Sequence, residues 1–195
     1  MRNEMRNFWR QFGRLTPIII LPFILSPSFA APRLPSKIEI KARQRSGKDM
    51  TKEQCLKLIN SVNLSKDLCG AKLNEVDISG ANLVSADLSE ASLKKSILKD
   101  TKLGRANLTK ANLEGAILYK ADLNGAKLNN ANLKNANLMG ANIQNAMLIG
   151  TDLSKAILIN ADFSGANLTG AIMKGAKTNG AVFKGTYMPD GQLHP

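Results

Sequence analysis

Residues 106–125 read ANLTK ANLEG AILYK ADLNG, four five-residue units with Leu108, Leu113, Leu118 and Leu123 at their centres. A five-residue period suits neither regular element. On a helix turning about 100° per residue, leucines five apart step by about 140° and leave no apolar stripe. On a straight strand an odd spacing sends successive leucines to opposite faces. The pattern inside one unit resolves the conflict. With the central residue called i, positions i−2, i−1 and i read inward, outward, inward, as in a three-residue strand. Positions i+1 and i+2 must then turn the chain so that the next leucine also points inward. Gly and Asn at i+2 suit such a turn because they tolerate unusual backbone angles. Equal turns at every unit close a polygon, and stacked polygons make a solenoid.

The register extends outward from this stretch in both directions, from Ala71 to Asp190, as 24 pentads without a slip. Position i is Leu in 17 of them, Ile at 78 and 143, Phe at 163 and 183, Met at 173 and 188, and polar only at Thr178. Position i−2 is Ala in 19, otherwise Val76, Ser96, Thr101, Thr151 or Thr186, and position i−1 is often Asn or Asp. Pro189-Asp190-Gly191 should stop the strand ladder, and the remaining tail, residues 191–195, offers no cap helix.

The A(D/N)Lxx pattern resembles the pentapeptide-repeat family, over 120 of the 195 residues. The resemblance implies an all-β fold: a right-handed quadrilateral β-solenoid with four pentads per coil. Its six or so coils would stand about 29 Å tall at about 4.8 Å per layer. Each leucine would stack on the one 20 residues away, with the alanine methyls filling the corners. Some family members are similar to B-form DNA, with an acidic surface that protects or inhibits gyrase. That alternative requires acidic repeats, whereas residues 71–190 hold fourteen Lys or Arg and ten acids.

Charge elsewhere is more one-sided. The chain has a formal net charge of +12, and residues 1–70 carry most of it. Such a basic balance invites a nucleic-acid reading. Two tyrosines and few phenylalanines beyond residue 30 are poor in the stacking platforms that single strands need. No nucleic-acid partner is therefore expected.

Residues 1–30 read as a signal peptide. Arg2, Arg6, Arg10 and Arg14 precede an apolar run, Leu15 to Leu25. Ser28-Phe29-Ala30 then places small residues for cleavage after Ala30. The run is short of the roughly 20 residues that a membrane span needs, and an uncleaved anchor is the alternative. Export would lead to the periplasm or the thylakoid lumen. Residues 31–49 are basic, carry prolines and read as a flexible arm, with tethering to an anionic membrane surface as the functional alternative. In residues 50–70, Thr51 and Gln54 match a capping box, while Cys55, Leu56, Ile59 and Val62 share one helical face. That short helix should cap the open end of the first coil. Cys55 and Cys69 are the only cysteines. In an exported protein they fit one disulfide worth about 3 kcal/mol, two free thiols being the alternative.

Catalytic and cofactor signals are sparse. His194 lies on a tail too short to hold an imidazole in place. Two Cys and one His make no convincing zinc site, and the glycines follow the turn period rather than a phosphate loop. Asp87, Asp122, Asp152 and Asp162 occupy outward i−1 positions and read as solvated carboxylates. No enzyme activity, cofactor or metal is expected. Sorting the pentads by four gathers Ile97, Ile117, Tyr119, Met139, Ile157 and Ile159 on one face. A contiguous apolar strip of this kind is a candidate surface for a protein partner or self-association. Val84, Met147, Ile149, Ile172 and Val182 are spread over the other faces, and Lys72, Lys94, Lys95, Lys134, Lys155 and Lys174 fall on an adjacent one.

Overall fold

The structure, a computed structural model, describes residues 67–195. The expected signal peptide with its cleavage after Ala30, the basic arm, the capping helix and Cys55 lie outside the described residues.

Every pentad makes one short strand and one turn. At the strand, residue i−1 pairs in parallel with the residue 20 ahead, so that Asn107 bridges Lys127 and Lys127 bridges Met147. Four pentads therefore complete one circuit, and four parallel ladders form four faces. The first runs from Asp67 to Tyr187, the second from Lys72 to Ile172, the third from Asp77 to Lys177 and the fourth from Asn82 to Val182. The hydrogen bonding is equally periodic. Leu108 N–H donates to the Lys127 carbonyl at 2.6 Å, Lys110 N–H to the Asn129 carbonyl at 2.9 Å, and Asn107 N–H to the Ala86 carbonyl at 2.9 Å. Ala111 N–H closes the turn on the Leu108 carbonyl at 3.0 Å. Four of the five backbone donors in this stretch thus meet backbone carbonyls, and the fifth, Thr109 N–H, meets Asn107 Oδ1 at 3.2 Å, as a chain wrapped around a dry core requires.

The turn has a conformational cost. Position i+2 has positive φ from Gly70 to Gly185, and thirteen of the residues there are not glycine, including Glu90, Lys110 and Asn145. An L-residue in that region is disfavoured by roughly 1 kcal/mol or more. Ladder bonds to the coils on either side hold it there.

The core follows from the inward positions. Leucines at i and, apart from the half-buried Ala81, alanines at i−2 are almost completely buried from Leu73 to Leu168. Each buried leucine contributes about 1.5–3 kcal/mol relative to exposure. The polar exceptions at i−2 are buried and satisfied: the Ser96 hydroxyl donates to the Leu93 carbonyl at 2.6 Å, Thr151 to Leu128 at 2.8 Å and Thr186 to Phe163 at 2.7 Å. Phe163 and Phe183, consecutive in one inward column, stack with ring centroids 5.2 Å apart.

Both ends of the ladder differ from the reading of the sequence. Asp67 already bridges Asp87, so residues 67–70 belong to the wall and Cys69 sits on it. The reason is visible in KDLCG, residues 66–70, which has Asp at i−1, Leu68 at i and Gly at i+2. At the other end the tail is held. Gly191, at φ 81°, reverses the chain, and Leu193 pairs antiparallel with Tyr187. The His194 carbonyl accepts from Gly185 N–H and the Gln192 carbonyl from Met188 N–H, both at 2.8 Å. Among the described residues no further coil receives these two donors, and the returning tail supplies the acceptors.

Candidate interaction face

The third face carries the six candidate residues. Its i−1 column runs Asp77, Ile97, Ile117, Asn137, Ile157, Lys177. Its i+1 column runs Ser79, Lys99, Tyr119, Met139, Ile159, Asn179. The strip is thus two columns wide. Asn137 interrupts the isoleucines, and Met139 in the second column carries the apolar surface across that level.

Ile117 is 39% exposed, whereas Ile97, Tyr119, Met139, Ile157 and Ile159 are half-buried. Stacking explains this: layers about 4.8 Å apart let each outward side chain cover its neighbours. The strip is continuous but of low relief. Tyr119 is flanked by cations, with Lys99 Nζ 5.9 Å and Lys120 Nζ 5.4 Å from its ring centroid. Contacts of this kind at exposed sites are worth about 0.5–1 kcal/mol.

Outward Asn and Asp on all four faces have a structural task that the sequence reading missed. Their Oδ1 accepts the backbone N–H at i+1, which the ladder leaves out. Asp87 takes Ser89 N–H at 3.0 Å, Asn132 takes Lys134 at 3.0 Å, Asp152 takes Ser154 at 2.8 Å and Asp162 takes Ser164 at 2.9 Å. This is the Asx geometry familiar from turns. The hydrogen bonds to Ser154 and Ser164 hold the Asp152 and Asp162 carboxyls below their ordinary value. The i−1 preference for Asn and Asp was the signal that could have exposed this role. On the third face Asp77 and Asn137 make the same bond, to Ser79 and Met139 N–H, whereas Ile97, Ile117, Ile157 and Lys177 forgo it, as Lys127 and Met147 do on the first face. The N–H groups of Lys99, Tyr119 and Ile159 consequently have no intramolecular acceptor among the described residues.

Other candidates separate from this face. The more exposed apolar residues Ile172 (52%), Tyr187 (48%) and Leu193 (57%) cluster in sequence near the final coil but lie on different ladders or the tail. Cys69 is half-buried, with its Sγ 3.4 Å from Ser89 Oγ. Its expected partner Cys55 is outside the described residues. Asp67, Cys69 and Asp87 offer ligand atoms within 4.8 Å of one another. However, Asp87 Oδ1 already accepts from Ser89 N–H, Ser89 Oγ and Asn107 Nδ2, which marks a stack of Asx motifs. The His194 ring packs 6.3 Å from Phe183, and its Nδ1 lies 3.2 Å from the Pro195 carbonyl. On the second face, Lys94 pairs with Glu114 at 3.1 Å, largely in solvent, where such pairs contribute little.

Known proteins share this architecture. The family model for pentapeptide repeats matches residues 67–100, 96–135 and 136–175. Among solved structures, the chain is similar to HetL, a pentapeptide-repeat protein involved in heterocyst differentiation regulation from the cyanobacterium Nostoc sp. strain PCC 7120. Identity is 36%, coverage is 66% of this chain and 68% of HetL, and the TM-score is 0.55. A pentapeptide-repeat protein of the Arabidopsis thaliana thylakoid lumen matches at 36% identity over 52% of this chain and 64% of its own, with a TM-score of 0.41. QnrB1, a plasmid-mediated fluoroquinolone-resistance protein, matches at 14% identity over 62% of this chain and 68% of its own, with a TM-score of 0.36. None of the curated proteins matches.

Proposed function

The chain belongs to the pentapeptide-repeat family and has its right-handed β-solenoid fold, and on that premise we propose that it is an exported, non-enzymatic scaffold that binds a protein through its third face. The 20-residue step of the bridges supports about six coils between Ala71 and Asp190. One observation carries the binding role. Ile97, Ile117 and Ile157 stand where an Asn or Asp would close the turn, so this face gives up an internal hydrogen bond at three levels for outward hydrocarbon. A local rule broken without an internal gain points to an external use. Tyr119, Met139 and Ile159 widen the surface, and Lys99 and Lys120 rim it. Outward carboxylates that hold turns support the non-enzymatic reading.

Export rests on residues 1–30, with cleavage after Ala30, and the disulfide between Cys55 and Cys69 is part of the same reading. The partner is a second copy or another exported protein.

The decisive variant carries Ile117→Lys and Ile157→Lys. Both side chains face outward, so the circular dichroism spectrum should stay that of the parent. Sedimentation velocity of the purified protein, alone and after capture of partners from the exported compartment, should show the parent's complex lost. A variant that sediments and captures like the parent removes the role assigned to this face.

A further inference from the structure

We propose that Asn179 is a site of spontaneous deamidation, and that the otherwise equivalent Asn124 is protected. Both asparagines precede glycine, at positions i+1 and i+2 of a pentad, and the two glycines have nearly the same backbone, with φ 65° at Gly125 and 70° at Gly180. Sequence and turn geometry are therefore matched, and the hydrogen bonding differs.

Around Asn124 the turn is pinned at every amide. Asn124 N–H donates to Asp122 Oδ1 at 3.1 Å, Gly125 N–H to the Gln144 carbonyl at 2.8 Å, and Ala126 N–H to the Leu123 carbonyl at 2.9 Å. Around Asn179, Ala181 N–H likewise closes the turn on the Thr178 carbonyl at 2.9 Å, but position i−1 is Lys177, which offers no carboxamide or carboxylate acceptor. Gly180 N–H has no acceptor among the described residues. The returning tail bonds Gly185 and Met188 and does not reach Gly180. Asn179 is also exposed, whereas Asn124 is half-buried.

The chemistry turns on that one nitrogen. After losing its proton, Gly180 N attacks Cγ of the Asn179 side chain. A C–N bond forms, the Cγ–Nδ2 bond breaks, and Nδ2 leaves as ammonia with the proton it needs. Water then opens the cyclic imide at either carbonyl, giving aspartate or its β-linked isomer. A backbone nitrogen whose proton is held by a carbonyl resists both deprotonation and the rotation that brings it onto Cγ. Glycine adds no side chain to obstruct the approach.

The consequence falls on the third face. Asn179 follows Ile159 in the i+1 column, and its carbonyl accepts from Asn160 N–H at 3.0 Å. Conversion places a carboxylate at the end of the apolar strip, and the β-linked product lengthens the backbone within a laddered turn.

Incubating the folded protein in mildly alkaline buffer, with an unfolded sample in denaturant alongside, tests the idea by peptide mapping. Sampling continues until the unfolded protein has converted at both sites. Expected is conversion of the folded protein at Asn179, on the order of tenfold or more faster than at Asn124, with the two rates alike in denaturant. Equal folded rates, a faster Asn124, or an unchanged Asn179 in the folded protein would overturn the proposal. Asn179→Gln should remove the new species and leave the map otherwise unchanged, and persistence of the species in that variant also overturns it.

Discussion

The coils around Leu118 and the coil spanning residues 171–190 follow the same repeat, yet they stand in different physical situations. Leu118 and Leu138 are fully buried, with a coil above and below. In the final coil Met173, Ala176 and Phe183 are partly exposed, and Thr178 fills an inward position while itself exposed. Met173, Thr178 and Phe183 N–H groups have no acceptors among the described residues, whereas Leu113, Leu118 and Leu123 all donate to the next coil. The turns differ as well. Non-glycine residues hold positive φ at many positions up to Asn160, but beyond it every such turn is glycine, from Gly165 to Gly185. The comparison shows that a repeat owes its stability to neighbours rather than to itself. With two neighbours a strained residue is tolerated, and near the last described coil the sequence uses the residue without that strain.

The largest expected contrast lies in the core. Leu118→Ala should destabilise by about 2–5 kcal/mol, because a closed stack cannot collapse around the void. Met173→Ala, in a coil already partly open, should cost less than half as much, read from urea denaturation midpoints. Equal losses would erase the distinction between interior and end.

The turns give a smaller contrast of both signs. Lys155→Gly relieves an L-residue held at φ 58° and should stabilise by about 0.5 kcal/mol. Gly175→Ala imposes that strain in the final coil and should cost about 1 kcal/mol. Thermal melts of the two variants should move in opposite directions.

The smallest effect is electrostatic. Asp152 and Asp162 titrate below their ordinary value of 3.8, chiefly through hydrogen bonds from Ser154 and Ser164. A depressed carboxyl contributes stability that is fully present above its unfolded value and is lost as pH falls through the folded one. The melting temperature should therefore be flat from neutral pH down to about 3.8 on this account and should decline below it. Asp162→Asn keeps an acceptor for the turn and should weaken that acid dependence, slightly, since both groups are largely solvated.

Much of the architecture was legible because one residue type, repeated every five positions, admits few geometries. Sorting by four placed Ile97, Ile117 and Ile157 in one column without any coordinates. Their low relief was not legible, since exposure depends on what stacks above and below. The Asx bonds of Asp87 and Asn132 were hidden because the sequence marks a residue as outward without saying which amide it meets. The tail was read as loose for a related reason. Residues 191–195 have no periodicity, and their pairing is decided by donors that Gly185 and Met188 leave unspent.

The 20-residue offset of the bridges turns chain length into an angle. Removing a single pentad between Ile117 and Ile157 would keep every leucine inside while rotating everything downstream by one side, carrying Ile157 away from Ile117. Removing four pentads would restore the alignment in a shorter rod. Such a molecule can grow or shrink by small genetic steps without losing its interior, but only whole circuits preserve what it displays.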